Sequence, residues 1–322
     1  MGGKRIGWIL ILLLLWGCSA SESVSDGDGA VDDQGPRAEF AFRGRIAFQS
    51  NRDGDRDIYL LTKTRLRKLT DNTWHDEYPQ WSPDGSRIAY TANPEGHYDI
   101  FVMNADGSQV TRITSSPKDE IEHAWFPDGK SLAFTIEERK GIRRRFSLWS
   151  VELETGKIER MLSDFPGYTA LPNFSPSDPL MGFTGKKAIG WDVFMHDFRT
   201  GGTQALTQGG KACRPHFSPD GGKVAYVSAK ADGKGDIWIM NPDGSEKQRL
   251  TERDETSDYF PSWSPDGKYI VFSSSLQHRI DRGAWSLFLV RVSTGTVIPL
   301  FKSGHRDLFP DWDWNSVPAR RN

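Results

Sequence analysis

Five short apolar stretches recur along the chain in the same internal order: Ile88-Ala89-Tyr90, Leu132-Ala133-Phe134, Met181-Gly182-Phe183, Val224-Ala225-Tyr226 and Ile270-Val271-Phe272. Successive side chains of a strand point to opposite faces, so each triplet carries two large groups on one face and a smaller one on the other. Neither face is polar. The pattern predicts strands covered on both sides, the bulky face of one sheet against the slim face of the next.

Ahead of each triplet stands a variant of one signature: Tyr78-Pro79-Gln80-Trp81-Ser82-Pro83-Asp84-Gly85, Glu122-His123-Ala124-Trp125-Phe126-Pro127-Asp128-Gly129, Arg214-Pro215-His216-Phe217-Ser218-Pro219-Asp220-Gly221 and Phe260-Pro261-Ser262-Trp263-Ser264-Pro265-Asp266-Gly267. A degraded copy, Leu171-Pro172-Asn173-Phe174-Ser175-Pro176-Ser177-Asp178, fills the remaining gap. Pro is pre-set for the second turn position, Asp tolerates the third and Gly takes the left-handed one. The signature therefore reads as an inner strand ending in a hairpin. A third strand follows each triplet, as in Asp99-Ile100-Phe101-Val102-Met103 and Asp236-Ile237-Trp238-Ile239-Met240. A short outer strand is expected at Ile113-Thr114, Leu206-Thr207 and Leu250-Thr251.

The repeated prolines Pro83, Pro127, Pro176, Pro219 and Pro265 are 44, 49, 43 and 46 residues apart. A period in the forties with four strands per repeat is that of a β-propeller blade. Residues 44 to 70 hold second, third and outer strands with no inner strand before them, and Phe309-Pro310-Asp311-Trp312 holds an inner strand followed by Asp313-Trp314-Asn315 where the turn would stand. The expected fold is all-β, a six-bladed propeller of four antiparallel strands per blade, closed by a split blade joining the two ends of residues 40–317. Such a ring has no exposed sheet edge to pair with a neighbour, and a monomer is expected.

Composition adds little to this picture: a net charge of -2 gives no reason to expect nucleic acid as a partner. The N-terminus adds more. Lys4 and Arg5 precede an apolar run from Ile6 to Trp16, and Leu15-Trp16-Gly17-Cys18 resembles a bacterial lipobox. The expectation is a signal over residues 1–18 with Cys18 as the lipidated residue, a flexible Ser-, Asp- and Gly-rich tether over 19–39, and a tail at 318–322. The domain would then face the periplasm from the outer membrane, held by the lipid alone. Only Cys213 remains besides Cys18, so no intramolecular disulfide framework is expected.

The Trp-Ser-Pro-Asp-Gly repeats resemble those of the TolB-like propellers, over roughly residues 40 to 317. TolB itself binds the peptidoglycan-associated lipoprotein Pal through its propeller. The resemblance implies a protein-binding module or scaffold of the cell envelope, with an envelope protein or peptide as its partner. Oligogalacturonate lyases are similar too and hold a channel metal with His and Gln. They supply the alternative of a metal-dependent polysaccharide lyase or hydrolase, for which His75, His123, His216 and His305 are the available residues.

Three places before the first Pro of the signature, with His123 standing in for it in one copy, lie Asp76, Glu120, Thr169, Ala212, Asp258 and Asp307. Pseudo-sixfold symmetry gathers these at one channel mouth, where Asp76, Glu120, Asp258 and Asp307 would favour a cation or a basic segment; capping of local turns is the simpler role. Arg139, Lys140, Arg143, Arg144 and Arg145 make a basic loop between a second and a third strand, and Arg279 and Arg282 add charge to another. Asp53-Gly54-Asp55-Arg56-Asp57 alternates carboxylates as a calcium loop does, yet lacks that motif's distant Glu and reads better as a turn. No catalytic residue, cofactor or protein metal ligand is picked out: the chain has no Gly-x-Ser-x-Gly elbow, His-Glu-x-x-His or P-loop.

Overall fold

The computed structural model describes residues 42–140, 143–187, 189–276 and 283–315. The signal, the tether, Cys18, Arg279, Arg282 and the tail lie outside the described residues. Six four-stranded antiparallel sheets are arranged as the blades of a propeller. Blade 1 runs Asp76–Trp81, Arg87–Ala92, Asp99–Asn104, Thr111–Arg112, from inner to outer strand. Blades 2 to 5 repeat this order and begin with the inner strands Asp119–Trp125, Tyr168–Phe174, Ala212–Phe217 and Ser257–Trp263. In the sixth blade Leu308–Trp312 is the inner strand and Ile46–Ser50, Asp57–Leu61 and Leu66–Lys68 are the other three. Ile46 pairs with Trp312 and Ala47 with Asp311, so the two ends of the propeller close one sheet.

The bulky and slim faces meet as the triplets predict. Ala47 packs with Ile88 and Tyr90 of blade 1, Ala89 with Leu132 and Phe134 of blade 2, and Ala133 with Met181 and Phe183 of blade 3. At the next junction the slim residue is Gly182, where an added Cβ would stand 3.1 Å from Pro215. Ala225 packs with Ile270 and Phe272, and Val271 with Ile46 and Phe48, which completes the circle. All of these side chains are buried, and this continuous apolar belt is the main force holding the blades together.

The signature turn is held by its own side chains. Ser82 Oγ accepts from the Arg87 N–H at 2.9 Å, Asp84 accepts from the Ser86 N–H at 3.0 Å, and Gly85 has φ of 67°. Ser218-Pro219-Asp220-Gly221 and Ser264-Pro265-Asp266-Gly267 repeat the arrangement. The signature aromatic also sews blades together: Trp125 Nε1 donates to the Gln80 carbonyl (3.1 Å), Trp81 Nε1 to that of Asp311 (3.1 Å) and Trp263 Nε1 to that of His216 (3.0 Å).

The outer strands differ from expectation. They are Thr111–Arg112, Gly202–Ala205 and Gln248–Arg249, so Thr114, Thr207 and Thr251 fall just beyond them. Each of these hydroxyls accepts a third-strand N–H, from Ile100 (3.0 Å), Val193 (2.9 Å) and Ile237 (3.0 Å). The threonines cap the edge of the sheet instead of extending it.

Candidate binding site in the propeller channel

Each inner strand carries a bulge at the residue before the signature Pro or His. Tyr78, Glu122, Leu171, Arg214, Phe260 and Phe309 all have φ between 52° and 60°, and the strand register shifts at each of them. A left-handed conformation costs a residue with a side chain about 1–3 kcal/mol. It is offset by hydrogen bonds to the preceding blade: Tyr78 N–H donates to Gln49 Oε1 (3.2 Å), Leu171 N–H to Thr135 Oγ1 (3.3 Å) and Arg214 N–H to Thr184 Oγ1 (2.9 Å).

The bulge turns these six side chains toward the channel, where they meet. The Phe309 ring lies between Tyr78 and Phe260, with centroids 3.7 and 3.9 Å away. Arg214 reaches over Phe260 (4.4 Å) and Phe309 (5.6 Å), and its Nη2 is 4.0 Å from Glu122 Oε1. Glu122, Leu171, Arg214, Phe260 and Phe309 are buried. Burial pushes the Glu122 carboxyl up to about 7, with Arg214 pulling the other way, and burial lowers His123 to about 4. The layer leaves an inner compartment of about 80 Å³.

A larger cavity of about 280 Å³ opens at the trailing ends of the inner strands, among the signature turns. Its walls are Trp81, Trp125, Phe174, Trp312 and Trp314, with Pro83, Pro127 and Pro176. Gln80, Asn173, His216 and Asp311 line both compartments. Two of these polar groups also clasp neighbouring blades. Asp311 accepts from the Trp81 N–H (2.8 Å) and from Ser262 Oγ (3.0 Å), and Asn173 Oδ1 accepts from the Phe217 N–H (2.8 Å). The cavity is thus a preformed, aromatic and proline-walled concavity with a few fixed polar groups, the usual form of a ligand site.

Trp314 escaped the reading of the sequence. In the split blade it stands where the other blades have the turn proline, and its Nε1 donates to the Trp263 carbonyl at 3.1 Å. The interruption Asp313-Trp314-Asn315 was the available signal. Asp313 is fixed by Arg45, whose Nε donates at 2.8 Å.

The four acidic residues stand where the inner strands are entered, as the repeat spacing predicts, but with their side chains buried. Asp76, Glu120, Asp258 and Asp307 begin or precede the inner strands, at the opposite end from the larger cavity, and line neither compartment. All four are at most 1% exposed. Asp76 accepts from Asn72 (2.6 Å), Asp258 from Ser274 (2.6 Å), and Asp307 from Ser303 (2.5 Å) and Arg52 (3.0 Å). Burial raises the pKa of each, that of Asp76 to about 7. In the Asp53–Asp57 turn the Lys68 ammonium supplies a cation, 3.5 Å from Asp53 and 3.0 Å from Asp57.

The basic loop is a correction: Ser131–Lys140 and Arg143–Glu152 are ten-residue strands of one hairpin. Arg144 stands opposite Arg139, Arg145 opposite Glu138 and Arg143 opposite Lys140. Arg139 pairs with Glu137 (2.9 Å) and Asp119 (3.2 Å), and Arg144 with Glu137 (2.9 Å). Acidic partners on the same sheet let the strands run on through a charged sequence. The four histidines do not converge. His123 and His216 line the channel, whereas His75 and His305 precede inner strands at the other end. Among the described residues no group of three or more His, Cys, Asp or Glu is placed to hold a metal.

Residues 143–312 match the TolB β-propeller domain family, and residues 61–164 the N-terminal β-propeller domain of Tricorn protease. An uncharacterized protein of Agrobacterium fabrum, Atu1656, is 26% identical over 68% of this chain and 72% of its own. Dipeptidyl-peptidase 5 of Porphyromonas endodontalis is 26% identical over 70% of this chain, which spans only 33% of that enzyme. The crystal structure of TolB from Acinetobacter baumannii shares the fold with a TM-score of 0.70 at 22% identity, over 85% of this chain and 67% of that one. With more than half of its length matched and six closed blades, the chain belongs to the TolB β-propeller family.

Proposed function

We propose that the protein is a binding module of the bacterial cell envelope, anchored outside the cytoplasm through Cys18, that engages an envelope protein or peptide at the mouth rimmed by Trp81, Trp125 and Trp314. The observation that carries this reading is the 280 Å³ cavity with its tryptophan and proline walls. Such walls offer large contact area at little conformational cost, and aromatic residues in pockets dominate protein recognition. The family supports an envelope setting, and a Pal-like lipoprotein is the first partner to try.

The test is a photoreactive residue at position 314, compared with one at Glu95. Glu95 lies in the second-to-third strand loop of blade 1, at the opposite end of the channel, and its side chain is 59% exposed. Capture at 314 and not at 95 is expected.

A further inference from the structure

We propose that the inner compartment of the channel is a carboxylate-binding site, with the Arg214 guanidinium as its anchoring cation and the Glu122 carboxyl as a second contact. This deepens the preceding reading, because the compartment shares Gln80, Asn173, His216 and Asp311 with the outer mouth.

Arg214 is 7% exposed, and its Nη2 has no hydrogen-bond partner. The nearest carboxylate oxygen, Glu122 Oε1, is 4.0 Å away, beyond hydrogen-bonding distance. Glu122 Oε2 and His123 Nε2 are likewise unpartnered, in side chains 4% and 2% exposed. All three residues line the same space of about 80 Å³. Buried charges are costly unless paired and hydrogen-bonded, and the faces of Phe260 and Phe309 together with the neighbouring Tyr78 hydroxyl offset only part of that cost for a guanidinium. A polar group from outside would complete the set.

The chemistry selects a monocarboxylate. A planar two-oxygen anion matches the guanidinium fork, whereas a dianion would be opposed by Asp311 at the outer edge. Glu122 is faced by Arg214 from blade 4 and by Glu137 of its own blade, and with its pKa near 7 much of it is protonated at neutral pH and able to donate to the second oxygen. His123 is then neutral and does not compete as a cation. Pro79, Pro172, Pro215 and Pro261 provide apolar walls for the body of the ligand. The carboxylate has two sources: a small free acid, or the C-terminus of a partner threaded from the mouth.

The full chain is titrated with isovalerate, with acetyl-Ala-Leu-Val bearing a free C-terminal carboxylate, and with the same peptide as its C-terminal amide, by calorimetry and tryptophan fluorescence. At least one carboxylate probe is expected to saturate below about 10 mM, with the amide at least about tenfold weaker. Arg214→Met should abolish the preference, and Arg214→Lys should weaken it several-fold. Saturation by isovalerate identifies a free acid as sufficient; saturation by the peptide acid alone identifies a C-terminus. Equal binding of acid and amide, or no binding of either carboxylate probe, overturns the proposal, and this comparison needs no variant to fold. Equal binding that Trp314→Ala still abolishes would overturn the carboxylate site and spare the mouth. An acid preference unaffected by Trp314→Ala would do the reverse.

Discussion

Closing the ring through a split blade places a testable load on Trp312. It is 3% exposed, packs edge-on against Phe42 with centroids 5.8 Å apart, and donates from Nε1 to the Arg43 carbonyl at 2.9 Å. Its own N–H donates to Ser262 Oγ of blade 5 at 3.0 Å. Phe42 and Arg43 lie at the opposite extreme of the propeller sequence from Trp312, so those two contacts exist only if the ring is shut. Truncating a buried Trp to Ala costs about 3–5 kcal/mol, and a domain of this size loses about 2 °C per kcal/mol, so Trp312→Ala should melt about 6–10 °C lower. Trp263→Ala is the matched control: Trp263 holds the same signature position in blade 5, is 2% exposed and donates from Nε1 to the His216 carbonyl of the preceding blade, a bond that does not depend on closure. Scanning calorimetry should show both variants falling by similar amounts. If Trp263→Ala falls and Trp312→Ala stays within about 2 °C of the parent, the terminal strand does not close the propeller.

Two further outcomes follow from charge and anchoring. Asp76, Glu122 and Asp236 each have a pKa raised by burial to about 7. A carboxyl that binds its proton more tightly when folded contributes its full stability below the ordinary carboxyl range and loses it as pH rises toward 7, on the order of 1–3 kcal/mol each. The melting temperature should therefore drop between pH 5 and pH 8, and less so in Asp76→Asn; an unchanged slope in that variant contradicts the assignment. Cys18→Ala should move the protein from the membrane fraction to the soluble one, and continued membrane retention rejects lipidation.

The fold was legible because each blade writes its packing into three residues. A large, a small and a large apolar side chain can only belong to a sheet covered on both faces, and the Ser-Pro-Asp-Gly turn fixes where that sheet reverses. The site was less legible. Asp76 and its equivalents stood out as charges near a channel, but the hydroxyl and amide partners that bury them, Asn72, Ser274 and Ser303, are too ordinary to signal burial in a sequence. The residues that do face the channel, from Tyr78 to Phe309, looked like part of the repeat. Their left-handed backbone, which aims them inward, depends on bonds to the neighbouring blade that no local pattern reveals. Likewise the basic run from Arg139 to Arg145 suggested a loop, whereas Glu137 pairs with Arg139 along its own strand and with Arg144 across the hairpin.

Site-specific photocrosslinking in cells bears most directly on the claim that this propeller binds through its tryptophan-walled mouth. With the photoreactive residue at position 314, a discrete adduct with an envelope protein is predicted, lost when Trp125→Ala alters the opposite wall and absent when the same residue is placed at Glu95. A Glu95 adduct with the same protein, and none from 314, would put the binding face at the other end of the channel and contradict the account.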